Sequence, residues 1–264
     1  MTGLPASLKA ALEAFVQRPR ILVAADFDGT LAPFNTDPMK VRAHPGALTS
    51  LYAAASLPGV SVALVSGRDL QTLRKLTAVP QTSPIVLVGS HGGEFSLADI
   101  DGPAAVDQEA SARLAAALAD LEEAAAAHPG ARIELKPGAV ALHTRGMEPA
   151  AADAALAAAI ELSTRHPGVH VIPGKQVVEL TVVTRDKGDA LRALAVARGV
   201  DATAYFGDDV TDERAFAALD PRSGDVTVKV GDGNTLAAYR LDGVDDVVTA
   251  LDLMVNLRRP TSGD

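Results

Sequence analysis

Two kinds of apolar pattern divide this chain. Short continuous apolar runs at Ile21–Asp28, Val60–Ser66, Ile85–Gly89, Ala202–Gly207 and Val226–Val230 read as strands buried on both faces. Between them lie segments with helical spacing: Pro45–Ala55, about Asp69 to Leu76, Lys187–Arg198, Asp212–Leu219 and Val244–Leu257. Leu4, Leu8, Ala11, Leu12 and Phe15 place a further amphipathic helix at the start. Strand and helix alternate, so the pattern predicts an α/β fold. It would be a Rossmann-like open parallel sheet with helices on both faces. In such sheets ligands bind beyond the C-terminal strand ends, where Asp26, Ser66 and Gly89 fall.

The middle of the chain breaks this rhythm. Asp107–Ala127 and Pro149–Arg165 are Ala-rich, and each precedes two short strands. The first pair, Arg132–Lys136 and Val140–Arg145, meets at Pro137-Gly138. The second pair, Val169–Ile172 and Gln176–Val182, meets at Pro173-Gly174. The Ala tracts could be linkers, but their Leu spacing favours packed helices. A repeated helix-strand-strand unit implies an inserted α+β module whose two hairpins share one small antiparallel sheet. The expected division is core at residues 1–99, the inserted module at 100–182 and core again at 183–264.

Composition narrows the partners. Hydrophobic residues make up 48% of the 264 positions and aromatics 3%, so the core must be built from Val, Leu, Ile and Ala. There is no cysteine, which excludes disulfides and thiolate metal sites. A net charge of -9 argues against nucleic acid or an anionic membrane as partner. Lys9, Glu13, Gln17 and Arg18 interrupt any leader-like apolar stretch, and no run approaches the roughly 18 apolar residues of a membrane span. A cytoplasmic protein with no obligate protein partner is the expectation.

The chemistry concentrates at strand ends. Ile21–Ala25 leads into Asp26-Phe27-Asp28-Gly29-Thr30-Leu31. Residues two apart on an extended strand share a face, and two buried carboxylates that close repel one another. A divalent cation held by oxygen ligands resolves the conflict. Asp26 would be a nucleophile that forms an aspartyl-phosphate, with Mg2+ screening the charges. Asp28 would donate a proton to the leaving alcohol and then take one from water. Thr30 is a candidate phosphate contact. A plain Asp-Gly turn is the bland alternative. A calcium loop is excluded, because the later ligands and the closing Glu are missing.

Further groups support this. Ser66-Gly67-Arg68 follows the second strand, where Ser66 could bind a phosphate oxygen or cap the next helix, and Arg68 could contact substrate. Lys187 opens a helix, either as a solvated lysine or as a cation for Asp26 and the phosphate. Gly207-Asp208-Asp209-Val210-Thr211-Asp212-Glu213 crowds acids at a strand tip beyond what a helix first turn needs. Asp26, Asp28 and Asp208 are the candidate metal ligands, with Asp209 and Asp212 behind them. Gly89-Ser90-His91-Gly92-Gly93-Glu94 suggests a tight backbone approach.

Together, in this order and strand context, these motifs resemble the haloacid dehalogenase superfamily of phosphatases, with an insert like its C2-type cap. Within it the chain is similar to trehalose-6-phosphate phosphatases. Ser66-Gly67-Arg68, Gly89–Glu94, Ile133–Lys136, Ala141–Arg145 and Gly207–Glu213 carry that likeness. Gly93 departs from the Ala more usual there. The resemblance implies Mg2+-dependent hydrolysis of trehalose 6-phosphate to trehalose and phosphate, with the cap closing over the sugar. It also implies that Glu134, Lys136, Arg145, Lys175 and Glu179 contact glucose. From the residues alone, this polar set could equally be the solvated face of a half-exposed sheet. The same chemistry on sucrose phosphate or a mannosyl-phosphoglycerate is the alternative reading, and a non-catalytic Mg2+ or phosphate-binding module is a second. A membrane pump with an aspartyl-phosphate would need spans that are missing.

Overall fold

The structure, a computed structural model, describes residues 3–97, 100, 107–136, 138–182 and 185–259. The chain forms two compact units, Met1–Asp101 with Asp186–Asp264, and Gly102–Arg185.

The first unit is built on β1 (Ile21–Ala25), β2 (Val60–Val65), β3 (Ile85–Gly89), β4 (Glu94–Phe95), β9 (Ala202–Gly207), β10 (Val226–Val230) and β11 (Tyr239–Leu241). They lie in the order β11-β10-β9-β1-β2-β3-β4, all parallel except β4. From β1 the chain goes first to one side and later to the other. The switch point is therefore the C-terminal end of β1 and β9. Side chains alternate through the sheet. Val23 and Ala25 join a core with Leu8, Leu12, Leu51, Leu73 and Leu251. Those residues come from α1 (Ala6–Phe15), α2 (Pro45–Ala55), α3 (Leu70–Thr77) and α8 (Val244–Arg258). Leu22 and Ala24 face the other way, into a core with Leu191, Leu194 and Phe216 from α6 (Lys187–Arg198) and α7 (Asp212–Ala218). Helices thus cover both faces, as the apolar runs predict.

Two differences from the sequence reading concern the strand ends. Ladder pairing on β1 stops at Ala25, not Asp28. Beyond it Asp26 N still donates to Phe206 O at 2.8 Å, and then Leu31 N and Ala32 N fold back onto Phe27 O. Short β4 and β11 carry too few residues for a periodic pattern and escape a reading by periodicity.

The second unit has α4 (Gln108–Ala127) and α5 (Pro149–Ser163) on one face of a four-stranded antiparallel sheet. Its strands, β5 (Arg132–Lys136), β6 (Ala139–His143), β7 (His170–Gly174) and β8 (Val177–Thr181), lie in the order β5-β6-β8-β7. The Ala tracts are helices, packed through Ala117, Leu121, Ala155 and Ala159 onto Val140, Leu142, Val178 and Leu180. The β7–β8 turn is not at Pro173-Gly174, which remain paired with Val178 and Val177. It falls on Lys175 and Gln176, and Gln176 adopts φ 59°. Pro173 is tolerated in the ladder because β7 is an edge strand. Pro137 of the other hairpin lies outside the described residues.

Candidate active site

Asp26 sits one residue past β1, 4% exposed, and Asp208 sits one residue past the neighbouring β9. Parallel pairing in register, Ala25 against Phe206, brings the two tips together. Lys187, at the start of α6, is buried with them. Its Nζ donates to Asp26 Oδ1 and to Asp212 Oδ1, each at 2.7 Å. Carboxylate oxygens of Asp26, Asp208 and Asp212 all lie within 4.8 Å of one another. Lys187 thus bridges two of the three acids, and the third, half-buried Asp208, stands beside them.

The electrostatics follow. Burial pushes Asp26 well above the usual carboxylate range, against the pull of Lys187 and with Asp212 and Asp208 adding to it. Asp208 rises to about 7, from burial first and then Asp212. Burial alone would lower Lys187, but Asp212 and Asp26 outweigh it and raise its pKa. Like charges in a low-dielectric site make deprotonation costly, and a cation would relieve that cost.

Hydrogen bonding separates the three acids. Asp212 is saturated: Oδ1 accepts from Lys187 and from Tyr205 Oη at 2.6 Å, and Oδ2 accepts from Asp209 N at 2.9 Å. Gly207 makes room for it, since a Cβ there would lie 2.3 Å from Asp212 Cγ. Asp208 is the opposite case. Its Oδ1 is buried with no hydrogen-bond partner among the described residues. Its other oxygen fills the space over Gly29, where a Cβ would come within 2.1 Å, and the φ of 80° at Gly29 suits glycine. An orphaned, hard oxygen donor beside Asp26 fits a divalent cation. Asp26, Asp208 and Asp212 are close enough to hold it together, and Asp212 is the one already spent on Lys187, Tyr205 and the Asp209 amide. Asp28 stands outside this group.

Asp28 is instead gripped by Arg68, whose Nε donates to Oδ2 at 2.6 Å and Nη2 to Oδ1 at 2.7 Å. Ser66, after β2, is buried, and its Oγ accepts from Arg68 N at 3.2 Å. The cap of α3 is Asp69, which accepts from Thr72 N at 2.9 Å, so Ser66 is not the capping residue. Thr30 is fully buried, and its Oγ1 finds no partner among the described residues. Asp209 Oδ1 accepts from Val210 N at 2.7 Å.

The glycine-rich stretch after β3 braces the Ser66 loop. Ser90 N donates to Arg68 O at 2.8 Å and His91 N to Ser66 O at 2.9 Å. Glu94 Oε2 accepts from Ser90 Oγ at 2.7 Å and from Leu70 N at 3.0 Å. The His91 ring lies on Gly67, where a Cβ would be 2.4 Å from it. Ser90 and His91 both hold positive φ, a strained path accepted for these contacts.

In the second unit, register places Glu134, Ala141, Glu179 and Ile172 in one row across the sheet, away from α4 and α5. Lys136 Nζ donates to Glu179 Oε2 at 2.5 Å, and His143 Nε2 to Glu134 Oε2 at 2.7 Å. Arg145 follows β6 and offers its carbonyl to Arg132 at 3.4 Å. Lys175 occupies the β7–β8 turn. The cross-strand pairs could not be read along single strands, because they depend on hairpin register.

Two buried groups escaped the sequence reading. Tyr205 looked like a strand residue, yet its hydroxyl anchors Asp212. Burial first, and then Asp212, raises its pKa well above 10.0. Lys229 was one residue of an apolar strand, yet it is buried and donates to Asp208 O. A lysine in a five-residue run otherwise of Val and Thr was the available signal.

An open parallel sheet that sets two acidic tips side by side, with a serine and a lysine from neighbouring loops, defines a haloacid-dehalogenase-type phosphatase fold. The chain belongs to the trehalose-phosphatase family, whose model matches residues 24–245. That family hydrolyses phosphomonoesters. The chain is 36% identical over 238 residues to trehalose-6-phosphate phosphatase of Escherichia coli, covering 87% of this chain and 84% of that one. It is 35% identical over 239 residues to a trehalose-phosphate phosphatase of Mycobacterium marinum, covering 85% of this chain but 58% of the longer relative. The C-terminal domain of Candida albicans trehalose-6-phosphate phosphatase superposes with a TM-score of 0.81, covering 97% of this chain and 99% of that one. At 22% identity, this last likeness speaks to the fold. Among the described residues, no helix is long and apolar enough to cross a membrane.

Proposed function

We propose that this protein hydrolyses trehalose 6-phosphate to trehalose and phosphate through an aspartyl-phosphate on Asp26, with Mg2+ as the cation. What carries the reading is the close trio of carboxylates beside Lys187, with an orphaned Asp208 oxygen beside Asp26. The relatives' names supply the substrate.

Asp26 keeps Oδ1 on Lys187, and its second oxygen makes no hydrogen bond among the described residues. That second oxygen attacks phosphorus, and the P–O bond to the sugar breaks as the alcohol takes a proton from Asp28, which takes that proton up once Arg68 has left its carboxylate for the incoming substrate. Asp28 then removes a proton from water as the acyl-phosphate is hydrolysed and Asp26 is restored. Lys187, Ser66 Oγ and Thr30 Oγ1 take up phosphate oxygens as charge moves onto them. Held by Asp26 and Asp208, a divalent cation supplies the positive charge that lets a phosphate dianion approach a carboxylate. Glu134, Lys136, Arg145, Lys175 and Glu179 read the sugar hydroxyls, and residues 100–182 act as the cap. A cytoplasmic setting suits such a small-molecule substrate.

Phosphate release from trehalose 6-phosphate, sucrose phosphate and a mannosyl-phosphoglycerate, each with Mg2+ and with chelator, tests this. Release from trehalose 6-phosphate alone, abolished by chelator, is expected. Preference for another sugar phosphate would reassign the substrate, and chelator-insensitive release would remove the cation.

A further inference from the structure

Resting on the reading of Asp26 and Asp208 as a cation site, we propose that Lys229 is the residue that aims Asp208 into that site. The need for such a residue comes from Asp208 itself. No hydrogen bond holds its carboxylate among the described residues, and Oδ1 is buried without a partner. Its direction must therefore come from its backbone. The β9 ladder ends at Gly207, so the Asp208 peptide lies beyond the sheet. Two clamps flank it. Asp212 Oδ2 takes Asp209 N on one side, and Lys229 Nζ takes Asp208 O on the other.

Lys229 is placed for this by register. It pairs with Gly207 across β10 and β9, so its side chain rises beside the next residue, Asp208. Val226, Val228 and Val230 of the same strand turn into the opposite core. Lys229 is only 4% exposed. A buried ammonium is costly, and stability alone favours an apolar residue in such a strand. Its nearest acid, Glu213 Oε1, is 4.0 Å away, beyond hydrogen-bonding reach. Glu213 is turned to the backbone of the following loop, accepting from Leu236 N at 2.7 Å. The carbonyl of Asp208 is thus the one hydrogen-bond acceptor Lys229 has among the described residues. A lysine buried for a single carbonyl next to a cation ligand is a positioning residue.

Charge and position make opposite predictions here, and that separates them. The affinities are compared well above pH 7, where Asp208 is already ionised, and there, if Lys229 matters only as a nearby positive charge, removing it strengthens cation binding. If it aims Asp208, removing it weakens binding. Mn2+ affinity of metal-stripped full-length protein, read by electron paramagnetic resonance for wild type, Lys229→Met and Lys229→Arg, decides the matter. Circular dichroism melts without metal are run alongside. Loss of a partner behind a metal ligand typically costs about 10–100-fold in affinity. Lys229→Met is expected to lose affinity in that range while melting no lower than wild type, since it removes a buried charge and keeps the stem. Lys229→Arg, which keeps a donor, is expected to fall between them. At saturating Mn2+, kcat of Lys229→Met should recover more than its affinity does. Unchanged or tighter Mn2+ binding in a folded Lys229→Met overturns the positioning role and leaves the cation site standing. Should Lys229→Met fail to fold, Lys229→Arg binding Mn2+ more tightly than wild type overturns it equally. A wild-type protein that binds no Mn2+ overturns the cation site and this role together.

Discussion

The tip of β1 and the polar face of the four-stranded sheet both gather acids, and they settle them in opposite ways. On the sheet each acid has its own base: Glu179 with Lys136, and Glu134 with His143. At the strand tip, three carboxylates crowd beside Lys187, and one oxygen of Asp208 has no partner among the described residues. Such pairing leaves these acids satisfied as they stand, and a ligand must exchange hydrogen bonds with them. Leaving acids in excess stores an electrostatic demand that a bound proton or an added cation meets. The first arrangement suits exchange of hydrogen bonds with a polar ligand, the second suits capture of a cation.

If this contrast is right, damage at the strand tip should stop turnover on every substrate. Asp26→Asn keeps the shape and removes the nucleophile, and a loss of roughly 10^5-fold or more in kcat is expected, with an unchanged circular dichroism spectrum. Appreciable turnover by that variant would remove Asp26 from the chemistry. Asp28→Asn should cost about 10^2–10^4-fold in kcat on trehalose 6-phosphate, the range for losing a general acid. On p-nitrophenyl phosphate, whose leaving group needs little protonation, the first step should be nearly spared. Equal losses on both substrates in the first step, read as the pre-steady-state release of the leaving group, would deny Asp28 its acid role.

Damage on the sheet should sort substrates instead. Glu134→Ala or Lys136→Ala should lower kcat/KM for trehalose 6-phosphate by roughly 10–100-fold, as for lost hydrogen bonds to charged groups. Hydrolysis of p-nitrophenyl phosphate should barely change. Parallel losses would mean that these residues do not read the sugar.

A pH series sharpens the electrostatic half of the comparison. Asp208 lies at about 7 in the folded protein against an ordinary 3.8. Between those values the folded, metal-free protein binds more protons than the unfolded chain, so this group's contribution to stability falls as pH rises through that window. Metal-free melts should therefore show Asp208→Asn gaining on wild type as pH rises from about 4 to 7. Cation affinity should rise with pH over the same range, by up to about tenfold per unit, because the proton must leave. Affinity flat below 7 would contradict the raised Asp208. The smallest effect expected is for Tyr205→Phe, which strips one hydrogen bond from Asp212 and should lower kcat about fivefold.

Much of this was legible along the chain, for a physical reason. Strands buried on both faces must be apolar throughout, so Ile21–Ala25 and Ala202–Gly207 announce themselves, and the acids that follow stand out by contrast. The pairing of Asp28 with Arg68 was not legible, because it joins residues from two strands by geometry. Nor was the split between a saturated Asp212 and an orphaned Asp208, which depends on where three donors point. Lys229 and Tyr205 were hidden by the apolar runs that contain them. The β7–β8 turn was misplaced because Pro-Gly is a strong turn pair, and edge-strand context overrode it.

The most direct test is to trap the covalent species. Asp28→Asn is mixed with p-nitrophenyl phosphate, whose leaving group needs little protonation, and Mg2+, then quenched in acid, reduced with borohydride and mapped by peptide mass spectrometry. Conversion of residue 26 to homoserine, dependent on substrate and prevented by chelator, is the predicted result. An unmodified residue 26 while phosphate is released, or a phosphoryl group on Ser66, would contradict the account.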